Sequence, residues 1–288
     1  MRLHPIGESV TDTEAGKRRL PVYTDLVGLS RAVAAFESRE ESLGQLLQLL
    51  FSATALGGSR PKCTWMQQDG QLAVARFPSI HDPMDLNRAE VLTARLAKAV
   101  GIDVVDVRLA HPVFDPFALS PRFDRGPGGG RKLFLSARSL LLAEEGDAVD
   151  HFDLLNAMRA CCKDFASDAQ QLWDRLLFGL LIGHKSLDLR KIGFLYVGHG
   201  QWRLAPAHGL RPALSASVPS PAEQLVCQKQ SITLDALLET SDAFEVSGAI
   251  AQSRLNHQRE VIAGWKKLAT EFSISMSGRD MLQISLKD

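Results

Sequence analysis

Leu181-Ile-Gly-His-Lys-Ser-Leu-Asp-Leu-Arg-Lys-Ile-Gly-Phe-Leu195 is the stretch on which the reading of this chain turns. An apolar segment of helical spacing, Gln170 to Ile182, runs into it. An apolar run of strand type, Gly193 to Val197, leaves it, and Gln201-Trp-Arg-Leu204 follows as a hairpin partner. The polar loop is thus held between two buried elements, a common setting for catalytic side chains.

Working outward, 288 residues suffice for one large domain or for two lobes with cores of their own. Lysines and arginines balance aspartates and glutamates, so the formal net charge is zero. Nothing global therefore points to nucleic acid or to an anionic membrane surface. The longest apolar run, Leu176 to Gly183, falls far short of the roughly 20 residues of a membrane span. No signal-peptide core opens the chain. Cys63, Cys161, Cys162 and Cys227 form no C-x-x-C pair and read as reduced thiols of a cytoplasmic protein. Met1 to Tyr23 is polar, carries Lys17-Arg18-Arg19 and reads as a tail or arm.

The spacing predicts one helix over Leu26 to Leu50, with Leu29, Val33, Phe36, Leu43, Leu46, Leu47 and Leu50 recurring on one face. A glycine turn follows, then a hairpin of Cys63–Met66 and Gln71–Phe77 about Gln67-Gln-Asp-Gly70. Asp82 or Asp85 caps a helix from about Leu86 to Val100, which Gly101 ends. Val104–Leu109 and Phe117–Phe123 are strand-like, and Gly126-Pro-Gly-Gly-Gly130 is a flexible loop. From His151 onward helices dominate: Phe152–Lys163, Asp168–Ile182, Thr233–Glu239 and Phe244–Phe272, with a proline-rich loop over Ala205–Ser220. A small mixed portion is followed by a mainly helical one, the pattern of an α+β protein with two lobes and a ligand-binding cleft.

The run Leu56-Gly-Gly-Ser-Arg-Pro-Lys62, the strand ending Arg76-Phe-Pro-Ser79, the helix with Glu90, then Arg122-Phe-Asp-Arg125, Ser136-Ala137, the loop Ile182–Leu195 and Trp202-Arg-Leu-Ala-Pro-Ala207 occur in one order. Together they resemble the HipA-type serine/threonine kinases, the toxins of bacterial toxin–antitoxin pairs. The resemblance covers about residues 24 to 272. It implies a two-lobed protein-kinase-like fold, with an N-terminal lobe over 24–125 and a helical C-terminal lobe over 126–288. It also implies that the small N-terminal subdomain of longer members is missing.

Phosphoryl transfer asks a protein mainly for positioning and charge neutralisation. By the resemblance, Gly57, Gly58, Ser59 and Lys62 belong to a glycine loop near phosphates, although a plain tight turn explains the glycines as well. Arg76 stands where the family has its strand lysine, a swap that is not neutral at a phosphate site. It could pair with Glu90, or that pair could be purely structural. Ser186 stands in place of the catalytic Asp, and a neutral hydroxyl is a poor proton acceptor. Asp188 falls where the family has His, and Lys191 where a metal-binding Asn is expected. Gly209, in Ala207-His208-Gly209, replaces the Asp that holds magnesium (Mg2+), and His208 beside it is a poor ligand for that ion.

Frame kept and chemistry lost is the mark of a pseudokinase, one that works by binding a protein and needs no metal or cofactor. The partner implied is a HipB-like helix-turn-helix antitoxin or an active HipA-type kinase, with no direct contact to nucleic acid or membrane. Two alternatives stand beside this. His184, Lys185, Arg190 and Lys191 could bind ATP or another phosphate without Mg2+, or could be a solvated basic loop. An active kinase could use Asp188 with Glu90 or Asp124 as relocated groups.

Overall fold

The computed structural model describes residues 25–52, 60–110, 116–126, 130–144, 147, 149–183, 189–212, 214 and 232–282. The N-terminal arm, Gly57, Gly58, Ser59, His184, Lys185, Ser186 and Asp188 lie outside them, as do parts of the loops expected over 126–130 and 205–220. The chain is a mixed α+β protein with two small antiparallel sheets among the described residues. It divides into two compact units, one ending at Pro83 and resumed by Val107–Arg122, the other made of Met84–Asp106 and the chain from Phe123.

In the first unit, Asp25 caps α1 (Leu26–Ser38) by accepting from the Gly28 N–H at 2.8 Å. A single helix was expected through Leu50, but Arg39 turns left-handed at φ 61° and a second helix, α2 (Leu43–Ser52), begins. The cause is local. The Ser42 hydroxyl faces the Gln45 N–H while the Gln45 side chain accepts from the Ser42 N–H at 2.8 Å, a capping box that starts a helix afresh.

Strands β1 (Lys62–Met66) and β2 (Leu72–Arg76) form the expected hairpin, with Gly70 at φ 79° in its turn. With β3 (Arg108–Ala110) and β4 (Phe117–Pro121) they make a sheet of order β1-β2-β4-β3. Its core joins Leu26, Leu29 and Val33 of α1 to Cys63, Ala75, Phe77, Phe117 and Leu119. Beyond β2, Arg60 pairs with Asp82, and Glu37 accepts from the Ser79 hydroxyl and the Ile80 N–H, which ties residues 79–82 down.

The second unit opens with α3 (Leu86–Ala99), capped by Asp85 rather than Asp82 and ended by Gly101 at φ 86°. Ala89, Leu92, Leu96 and Ala97 bury its apolar face in the core of this unit. The sequence boundary at residue 125 put this helix in the first portion; its packing differs, because its partners are C-terminal helices. β5 (Phe134–Ser136), β6 (Gly193–Gly198) and β7 (Gln201–Leu204) form a second antiparallel sheet in that order. Around it lie α4 (Ala137–Leu140), α5 (His151–Cys161) and α6 (Phe165–Leu181). Then come α7 (Leu234–Glu239), α8 (Gly248–Ala263), α9 (Trp265–Glu271) and α10 (Met276–Met281). The one long helix expected over Phe244–Phe272 is divided: Ser241–Phe244 is a 3-10 turn closed by Glu245 at φ 59°, and Gly264 separates α8 from α9. The core runs along α6, where Leu172, Trp173, Leu176, Leu177 and Phe178 are buried. Among the described residues no helix is long and apolar enough to cross a membrane.

Candidate functional site

The loop that decided the sequence reading is anchored at both described ends. Gly183, at φ 69°, follows the end of α6. The chain is described again at Leu189, which is fully buried and whose carbonyl accepts from the Arg138 N–H. The Ile192 carbonyl accepts from the Ala137 N–H at 2.7 Å, so the loop's exit is fixed to α4 just before β6 begins. Arg190 and Lys191 are exposed at that exit. Lys191, at the expected metal-binding position, therefore brings an ammonium group rather than an amide oxygen.

Gly193 has a steric duty. A Cβ there would come within 2.2 Å of the Phe134 ring on β5. That ring also packs on Phe123 at 5.8 Å and on the His208 imidazole at 6.4 Å, and Phe123 lies 5.3 Å from His208. His208 is thus a packing residue of an aromatic cluster, with its Nδ1 3.3 Å from the Pro206 carbonyl.

The segment after β7 is held by its backbone. Arg175, buried on α6, donates to the Ala205 carbonyl at 2.8 Å and to the Asp103 carbonyl at 3.1 Å. The Ala207 N–H donates to the same Asp103 carbonyl, and the Ala207 carbonyl accepts from the Val105 N–H. Burial lowers the Arg175 pKa to about 10, with Asp103 and Asp168 opposing, so the group stays charged at neutral pH. Asp168 accepts from Arg203 Nε at 3.0 Å and from the Leu204 N–H at 3.2 Å. Burial nonetheless pushes its carboxyl above the ordinary value.

This scaffold delivers Gly209 at φ 63°, where an added Cβ would meet nothing within 4 Å. The position is open and carries no ligand atom. Among the described residues no group of three His, Cys, Asp or Glu side chains could hold a metal ion. Gly209 itself offers magnesium no side-chain oxygen. Asp124, one of the relocated acids considered above, is bonded to Arg125 at 2.7 Å.

In the first unit, Lys62 and Arg76 stand directly opposite each other in the β1–β2 ladder. Their side chains leave the same face, since paired residues of an antiparallel ladder share one. The Arg76 guanidinium also reaches the Ser120 hydroxyl on β4 at 2.9 Å. Glu90 is 2 % exposed on α3 and belongs to the second unit, whereas Arg76 belongs to the first. Arg175, Asp168 and Phe134 were given no role by the sequence, and Phe123 appeared there only within the motif Arg122-Phe-Asp-Arg125. For Arg175 the signal was a charge, with Asp174 beside it, entering the apolar run Leu172–Leu181; Asp168, among Ser167 and Gln170 in the first turns, gave none, and Phe134 became legible only once its strand was paired with β6.

No curated protein matches this sequence. Among solved structures, the fold is similar to HipA of the Shewanella oneidensis MR-1 toxin–antitoxin system, in a complex of HipA, HipB and operator DNA. That likeness has a TM-score of 0.59 at 16 % identity, over 84 % of this chain and 69 % of the other. The proinflammatory kinase CtkA of Helicobacter pylori matches at a TM-score of 0.49 and 14 % identity, over 80 % of this chain and 92 % of that one. Residues 54–266 match the family described as the HipA-like C-terminal domain, and with most of its length inside that match, the chain belongs to this family.

Proposed function

We propose that this chain is a HipA-like pseudokinase that acts by binding a protein partner. The observation that carries the reading is Gly209: the backbone of the segment is fixed, the space is open, and the acid is missing. Lys191 adds a cation where a metal ligand is required, and Ser186 supplies a hydroxyl where a proton acceptor is required. Each lost carboxylate removes several kcal/mol of transition-state stabilisation, at a factor of ten in rate for about every 1.36 kcal/mol. The partner we propose is a helix-turn-helix antitoxin of the HipB kind, or an active kinase of the same family.

The test is transfer of labelled phosphate from ATP with magnesium, to the chain itself and to co-purified proteins. The wild type is expected to give none. Transfer by the wild type that Asp188→Ala abolishes would show relocated groups at work and end the pseudokinase reading. Restoring the acids and amide together, Ser186→Asp, Lys191→Asn and Gly209→Asp, is expected to confer magnesium-dependent stabilisation by ATP.

One observation favours a second reading, a metal-independent phosphate binder. Lys62 and Arg76 are like charges paired across a ladder, an arrangement that a shared anion stabilises. Thermal-shift titration with ATP and chelator separates the readings: a shift without magnesium that Lys62→Met removes supports binding, and no shift excludes it.

A further inference from the structure

Helix α5 ends on two adjacent cysteines. Cys161 is its last residue and Cys162 its C-cap, with φ −78° and ψ 135°. Both are free and half-buried. Neighbours inside a helix do not face each other. At this helix end, however, the two thiols lie within hydrogen-bonding reach of one another, and the Cys162 thiol within reach of the Asp168 carboxylate. The strand beside them fixes the place: Cys162 forms an isolated bridge with Trp202, and the Lys163 N–H donates to the Trp202 carbonyl at 2.9 Å. Asp168 in turn accepts from Arg203 Nε and the Leu204 N–H of β7.

A direct disulfide suits this pair poorly. Consecutive Cα atoms are about 3.8 Å apart, whereas disulfides usually span about 4.4–6.8 Å. Zinc suits it poorly too, since structural zinc takes four ligands and no group of three His, Cys, Asp or Glu among the described residues could hold a metal ion. One atom inserted between the sulfurs enlarges the ring and relieves its strain. That atom must be soft and satisfied by two sulfurs. It must also be pyramidal, because a linear centre would push the sulfurs apart. Trivalent arsenic has all three properties. Burial raises both thiols above their ordinary value, so little thiolate is present at neutral pH and simple alkylation is slow. Condensation with an arsenic hydroxide escapes that penalty, because each thiol proton leaves with a hydroxide.

We propose that Cys161 and Cys162 form a bidentate site for a trivalent arsenical carrying two hydroxyls, and that its occupancy is felt at β7. Two S–As bonds form, two As–O bonds break, and the thiol protons leave with the hydroxides as two waters. Arsenic and sulfur keep their oxidation states. Asp168 then loses the Cys162 thiol as a donor, beside the strand that leads into Ala205–Gly209. The site is independent of whether the chain transfers phosphate.

Intact-mass spectrometry of the reduced full chain with phenylarsine oxide tests this. One arsenical per chain is expected at micromolar concentration, released by a dithiol and retained in excess monothiol. Peptide mapping of the wild type, which needs no variant to fold, is expected to find Cys161 and Cys162 shielded from alkylation after unfolding. The second bond closes intramolecularly, so Cys161→Ser and Cys162→Ser are each expected to weaken capture about a hundredfold or more. Cys227→Ser is expected to leave capture unchanged. Hydrogen exchange over residues 202–204 is expected to change on capture. Absence of a one-to-one adduct overturns the site, as does capture that survives both substitutions together or vanishes with Cys227→Ser. An adduct that leaves exchange over residues 202–204 unchanged overturns the link to β7.

Discussion

Two residues of α6 show how burial sets the behaviour of a charge. Asp174 accepts from Arg254 Nη1 at 2.9 Å, yet burial outweighs that attraction and raises its pKa to about 6. A carboxyl whose folded pKa lies above its unfolded value binds more protons when folded. Its charged form is a liability above pH 6 that is relieved as the pH falls from about 6 toward 4. Asp174→Asn is therefore expected to raise stability at pH 7 by about 1–2 kcal/mol and to flatten that part of the stability–pH curve, measured by urea unfolding. Arg175, one residue on, works the other way. Arg175→Met strips the Ala205 carbonyl of its donor and is expected to cost about 2–3 kcal/mol, with faster hydrogen exchange over residues 203–209.

At the scale of elements, the β5–β6 pairing depends on one missing methyl. Gly193→Ala drives a Cβ into the Phe134 ring and is expected to cost about 1–3 kcal/mol. Adding Phe134→Leu is expected to return part of that loss, so a double-mutant cycle by thermal unfolding exposes the coupling. Strands, turns and the glycine-ended helix α3 were legible in the sequence because alternation and punctuation are local signals. The helix breaks were not. The apolar period runs straight from Leu26 to Leu50 and hides the Ser42–Gln45 box, and the long C-terminal helix conceals Gly264 in the same way. In the site, Gly209 and Lys191 were legible as substitutions against a family frame. The Arg175 clamp was not, because its bonds go to backbone carbonyls at Asp103 and Ala205, far apart in sequence.

For the molecule as a whole, the two units have cores of unequal extent, and the first rests on α1, with Leu49 of α2 beside it, packed on one sheet. Phe77 is central there, meeting Phe117 edge-on at 5.3 Å. Cys63 is fully buried beside it, and burial pushes its thiol up to about 12. In the native protein Cys63 is expected to resist thiol reagents. Phe77→Ala is expected to destabilise the first unit by about 3–5 kcal/mol and to unmask Cys63 to alkylation, read by mass spectrometry.

The placement of α3 bears on how the protein is made. Its apolar face is complete once residue 99 has been synthesised, but α8 and α9, against which it rests, are made far later, and Arg88 Nη1 is bonded to the carbonyl of Phe272. The nascent polypeptide therefore carries an uncovered greasy stripe until residues 248–271 have been made. A holdase chaperone would find its natural footing on Leu92 and Leu96 during that interval.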